Sequence, residues 1–181
     1  MKINEMSQIA MFAALIAVLS QISFPLPISP VPMTLQTFGV FFTALVLGSR
    51  KGALALILYT FIGGAGLPVF SQGKAGLPVL MGPTGGYILG FIVAAWIIGK
   101  IIERTDRLSF MRSFLALFCG VTVIYFLGTI QLKVLLNLSI TEAFVLGVLP
   151  YLVLEFIKVI MAVYLGCAVR KALFKALPTS V

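Results

Sequence analysis

Glu155 and Lys158 are the residues whose types and spacing most demand a chemical explanation. They interrupt an apolar run from Ala143 to Ala168 that is 26 residues long, enough to cross a bilayer as a helix. A charge at the centre of such a span costs about 2.5–3.5 kcal/mol on insertion scales. Two in one span are tolerated where they face protein, water, a ligand or each other. At i and i+3 they share a helix face and can touch. Lysine supplies a compact cation with three donors, suited to a ligand carboxylate. Glutamate accepts hydrogen bonds, from Lys158 when the site is empty or from a ligand donor. Tyr151, four residues before Glu155, falls on the same face. Two other readings compete with a ligand site. The pair can be an ion pair that only fixes helix packing, or Glu155 can be a proton or sodium relay. The chain has no His and no second carboxylate at membrane depth, which is thin for a relay.

The elements that must hold this pair follow from composition. The 181 residues are 61% hydrophobic and 10% charged, with mean hydropathy +1.16. Soluble domains carry about 25% charged residues, so this is a polytopic, all-α membrane protein, expected to form one membrane domain over residues 1–181. Apolar runs at 9–24, 37–48, 53–66, 87–99, 113–132 and 144–169 give six spans. The N-terminal run could pass for a signal peptide, but Glu5 lies in its polar start and Pro25 and Pro27 stand where a cleavage site is needed. We read it as a retained first helix. Cys119 and Cys167 lie in apolar runs and read as small packing residues. No metal, cofactor or catalytic constellation is indicated, and the chain reads as a non-enzyme.

The connections are less ordinary. Pro25–Gln36 carries four prolines and reads as a stiff, semi-extended loop, neither regular helix nor sheet. Thr34 and Gln36 close it. Ser49–Gly52 reads as a tight basic turn between two short helices. Gly63–Gly90 repeats the pattern Gly66-Leu-Pro-Val-Phe70 as Gly76-Leu-Pro-Val-Leu80. Its Gly and Pro mark turns, yet the residues between are apolar, so it folds back against the membrane domain. Ser71, Gln72 and Thr84 are its polar candidates. Gly85 and Gly86 allow close approach of backbone to a ligand or a helix, and Tyr87 follows. Asn137–Thr141 is a third loop. In the first span, Ala10/Ala14 and Ala13/Ala17 form two small-xxx-small pairs, suited to internal packing or to a partner helix.

Positive charge sets the orientation. With six spans, Lys2, Arg50, Lys51, Lys100, Arg104, Arg107, Arg112, Arg170, Lys171 and Lys175 fall on one side, and Lys74 and Lys133 on the other. Both termini are then cytoplasmic, and the net charge of +8 needs no nucleic-acid partner. The three irregular loops share the outer face, above Glu155 and Lys158. The expected ligand has an apolar body, an anionic group and some polar atoms. Few, short spans without visible repeated halves suggest a binding subunit that needs a partner.

Pro30-Val-Pro-Met-Thr-Leu-Gln36, Gly66-Leu-Pro-Val-Phe70 and Gly82-Pro-Thr-Gly-Gly-Tyr87, with an acidic-x-x-Lys pair in the last helix, resemble the BioY family over nearly the whole chain. These are the biotin-specific S components of energy-coupling factor (ECF) transporters. The resemblance implies a six-helix S-component fold in a prokaryotic plasma membrane. It implies high-affinity biotin capture from outside, and uptake driven by a transmembrane T component and two ATPase subunits. The alternatives are a solitary biotin transporter and a structural membrane protein. The alanine face (Ala10, Ala13, Ala14, Ala17) resembles the surface that meets the T component. Lys158 matches the family's lysine, and Glu155 stands where the family commonly has Asp. The preceding Val153-Leu154 departs from the usual Pro-Gly. Gln72 sits where the third loop of relatives offers a polar amide, and Phe70, Ser71, Thr84, Gly85, Gly86 and Tyr87 complete the expected substrate contacts. Which end of biotin meets Lys158 is left open by the resemblance.

Overall fold

A computed structural model describes residues 3–104 and 109–176, the side chains of 173–176 excepted. Of the basic residues that set the orientation, Lys2, Arg107 and the side chain of Lys175 lie outside the described residues. Helix α1 (Ile3–Gln21) leads into a two-stranded antiparallel ribbon of β1 (Ser23–Leu26) and β2 (Ser29–Thr34). Then come α2 (Gln36–Gly64), a 3₁₀ turn at Ser71–Gly73, the short α3 (Leu77–Met81) and α4 (Gly85–Glu103). After α5 (Phe110–Leu136) and α6 (Ile140–Gly147), a 3₁₀ turn at Leu149–Tyr151 leads to α7 (Leu152–Ala176). Among the described residues, five segments are long and apolar enough to cross a membrane: α1, α2, α4, α5 and Ile140–Ala172.

The sixth helix is hidden inside α2. Gly48 breaks the helix with φ 79° and ψ −170°, a region that only glycine enters freely. The chain reverses there: Gln36 Nε2 donates to Tyr59 Oη at 2.6 Å, although 23 residues of straight helix would span about 35 Å. So α2 is a helical hairpin, and the expected four-residue turn at Ser49–Gly52 is a single-residue break. Ser49–Gly52 already forms the first turn of the second half. Glu103, at the end of α4, caps that turn, accepting from Ser49 N at 2.6 Å and Ser49 Oγ at 2.7 Å. Arg170, near the end of α7, donates through Nη1 to Leu45 O at 2.9 Å, in the last turn before the break. One N–H and one carbonyl among the helix-end groups exposed by the break are thus met by side chains.

Four further expectations are corrected. The proline-rich stretch is sheet: Ser23 pairs with Thr34 and Phe24 with Met33, with a register irregularity between Phe24 and Leu26 where Pro25 sits. A two-stranded ribbon has only edge strands, where prolines are tolerated. The stretch Ala143–Ala168 is not one helix, for α6 stops at Gly147 and α7 begins at Leu152. Pro150 lies in the 3₁₀ turn between them, where its missing N–H breaks the ladder. The Asn137–Thr141 loop is shorter than expected. Asn137 closes α5 in the left-handed conformation, and Ser139 with Glu142 forms a capping box that starts α6 at Ile140. Cys119 is exposed on the bundle surface rather than packed inside, while Cys167 is half-buried beside Ser113.

Helix α4 is the centre of the bundle, packing on α5 and on α2, with α1 and α7 added against α2. The main core joins Phe41, Tyr59, Phe70, Phe91, Ile98, Leu117 and Ile124. Because α4 starts at the ribbon end and finishes against Gly48, the two ends of the bundle carry different chemistry.

Candidate functional site

At the ribbon end a cleft holds about 520 Å³ of unfilled space, counting its open mouth. β2 supplies Val31, Pro32 and Thr34; α2 supplies Gln36 and Thr37; Ser71 comes from the 3₁₀ turn. Thr84, Tyr87, Ile88 and Phe91 line it from the start of α4, and Ile124 and Tyr125 from α5. Gly147, Tyr151, Glu155 and Lys158 complete the wall.

The Glu155–Lys158 pair forms as its spacing predicts. Lys158 Nζ donates to Glu155 Oε2 at 3.0 Å and to Thr37 Oγ1 at 3.0 Å. Tyr125 Oη donates more weakly to the same Oε2, at 3.4 Å. Glu155 and Lys158 are 4% and 7% exposed, so the pair sits in low dielectric, where its attraction is strong and its desolvation costly. Glu155 Oε1 is buried without a donor. The other buried side-chain atoms without partners, among the described residues, are threonine hydroxyls at Thr43, Thr60 and Thr129. A buried acceptor left unmet costs about 1–3 kcal/mol, more when charged. Glu155, one of the lining residues, thus keeps one carboxylate oxygen that no protein donor meets.

The roof is held in place by side chains that clamp backbone. Tyr151 Oη donates to Ser29 Oγ at 2.8 Å and to Val31 O, while Ser29 Oγ donates to Leu146 O at 2.8 Å. The ribbon is thereby tied to the junction of α6 and α7. Tyr87 Oη donates to Gly147 O at 2.9 Å from the other side. The glycine-rich segment is fastened through consecutive carbonyls. Ser20 Oγ and Tyr59 Oη donate to Val69 O, at 2.5 and 3.1 Å. Gln21 Nε2 reaches Phe70 O at 3.2 Å. Gln131 Nε2 donates to Leu80 O and Gly82 O, at 2.9 and 2.8 Å, fixing the entry to α4.

The structure brings together eight of the expected site residues: Thr34, Gln36, Ser71, Thr84, Tyr87, Tyr151, Glu155 and Lys158. It places four others elsewhere. Phe70 is fully buried, its ring edge-on to Tyr59 at 5.6 Å. Gln72 is exposed, with φ 63°, and its N–H donates to Ser23 Oγ at 3.2 Å. Gly85 and Gly86 make close backbone approaches, but to Leu80 O and to Leu127 and Gln131 of α5, where any Cβ would collide. They pack helices and do not face the cleft. On α1, Ala10 and Ala14 are exposed, whereas Ala13 is buried and Ala17 packs against the core. Thr37 and Tyr125 were missed. Each reaches the pair from another helix, and nothing in its own sequence neighbourhood marks it.

The fold is a six-helix membrane bundle with a roofed polar cleft at one end. Residues 1–175 match the BioY family, and the chain belongs to that family. It is 38% identical over 169 residues to the biotin transporter BioY of Thermotoga maritima, covering 93% of this chain and 96% of that protein. It is also 38% identical to a probable biotin transporter BioY of Pyrococcus horikoshii, covering 92% and 96% respectively. The S-component for biotin of an ECF-type ABC transporter, a crystal structure, superposes with a TM-score of 0.87 at 24% identity, over 94% of this chain and 95% of that one. This likeness establishes the S-component fold.

Proposed function

We propose that this chain is the biotin-binding membrane subunit of a vitamin-uptake system, driven by a transmembrane T component and two ATPase subunits that the chain itself does not supply. The observation that carries the site assignment is the unmatched Glu155 Oε1 beside Lys158 in a roofed cleft. Biotin's ureido group offers two N–H donors and a carbonyl acceptor. Its valerate carboxylate offers acceptors only. A carboxylate beside Glu155 would meet a like charge, so the ureido end suits the pair better. Glu155 then takes a ureido N–H, and Lys158 donates to the carbonyl. Ile88, Phe91 and Ile124 give the apolar wall for the fused rings. The separation of basic residues supports cytoplasmic termini and an outward-facing cleft. Ala10 and Ala14 leave a flat strip on α1 for close approach of a partner helix.

Isothermal titration of the detergent-purified protein with biotin, without ATP, tests the reading. Saturable heat and thermal stabilisation support it. Their absence favours a structural protein whose ion pair is only packing. Full-strength binding by Lys158→Ala would sink the site assignment. Ala14→Trp should spare binding and block uptake. Uptake into vesicles with and without the energising subunits separates a partnered subunit from a solitary transporter.

A further inference from the structure

The first half of α2 and helix α7 run side by side and are bonded near both ends. At the cleft, Lys158 Nζ meets Thr37 Oγ1 at 3.0 Å. At the far end, Arg170 Nη1 meets Leu45 O at 2.9 Å. Between them, Gly166 lies so close to Leu45 that a Cβ would stand 2.8 Å from its Cδ1. The carboxylate of Glu103 acts electrostatically on Arg170 while it caps Ser49, so the Arg170 contact is tied to the Gly48 break as well. A helix that slips by one residue moves about 1.5 Å and turns about 100°. Such a slip would break both bonds and carry Lys158 off Thr37.

We infer that Arg170 is a positioning residue for the ligand site: by fixing the register of α7 on α2 from the far end, it sets where Lys158 and Glu155 stand. Arg170 is about 18 Å from Lys158 along the helix and is not among the residues that line the cleft. Its effect on binding is therefore carried through the seating of α7 on α2. The inference rests on the binding role proposed above, but the register claim can be tested without a ligand.

The test uses the full chain with Cys119→Ala and Cys167→Ala, spin-labelled at Val153 on α7 and Leu89 on α4. These residues are 75% and 48% exposed. Arg170→Met should shift or broaden the distance distribution of the ligand-free protein, and Arg170→Lys should restore most of it. In parallel, Arg170→Met should weaken biotin binding roughly tenfold, coupled to Lys158 in a double-mutant cycle, with Arg170→Lys recovering. If Arg170→Met does not accumulate, Gly166→Ala, which pushes on the same Leu45 contact, should give the same changes. An unchanged distribution overturns the register claim. A changed distribution with unchanged affinity overturns the positioning role. Wild-type protein that ignores biotin overturns the functional reading, while the distance measurement still decides the register claim.

Discussion

The two ends of the bundle solve the same problem differently. At the far end the chain breaks a helix inside the membrane domain and answers the exposed groups: Glu103 takes Ser49 N and Oγ, and Arg170 takes Leu45 O. At the cleft end it buries a carboxylate and leaves one oxygen unmet. In the first arrangement the charged groups named are met by partners within the protein. In the second, one buried carboxylate oxygen has no protein donor, and that difference, more than the presence of charge, is what the binding role proposed for Glu155 and Lys158 rests on.

The largest effect should come from Lys158→Ala. It leaves Glu155 buried without its cation, a change that costs about 3–5 kcal/mol in comparable buried pairs. Biotin affinity should fall by at least a hundredfold in calorimetric titration, and a loss below threefold would erase the contrast between the ends. Next, Gly48→Ala forces a side chain into a backbone region costing about 1–3 kcal/mol and drives its Cβ into Glu103. Thermal unfolding should show a clear drop in melting temperature, and wild-type stability would mean the break tolerates a second geometry. Tyr151→Phe removes the hydroxyl that ties the ribbon to the junction of α6 and α7. At about 1 kcal/mol for such bonds, biotin dissociation should quicken several-fold in stopped-flow traces while the melting temperature barely moves. The smallest change is expected for Tyr125→Phe, since its 3.4 Å bond to Glu155 is long. Affinity should shift by about twofold or less, and a larger loss would promote Tyr125 to a direct ligand contact.

What could be read from the chain alone followed the range of the interactions involved. The Glu155–Lys158 contact depends on helical periodicity across three residues, so it was legible. The number of spans was legible from apolar run lengths, and the Gly48 reversal nearly so, because Arg50 and Lys51 would otherwise enter lipid. The ribbon was not, since four prolines argue against strands unless both strands are edges, which is a property of the finished fold. Pro150 stands at the break before α7, but the apolar residues on both sides of it make 143–168 read as one span. Thr37 and Tyr125 were beyond reach. Their roles depend on α2 and α5 arriving beside α7, a matter of tertiary packing. Gly85 and Gly86 were recognised as sites of close approach, but composition does not say whether a ligand or a helix approaches.

The proline ribbon has a consequence for life in a crowded membrane. If the roof lifts for ligand entry, two strands come away from their clamps and their outer edges are bared. Strand edges in that state recruit one another between molecules. Pro25, Pro30 and Pro32 lie within these strands and have no N–H to donate, so a neighbouring chain finds an interrupted row of hydrogen-bonding groups. The prolines that stiffen the roof would thus also keep a lifted ribbon from zipping onto its neighbours.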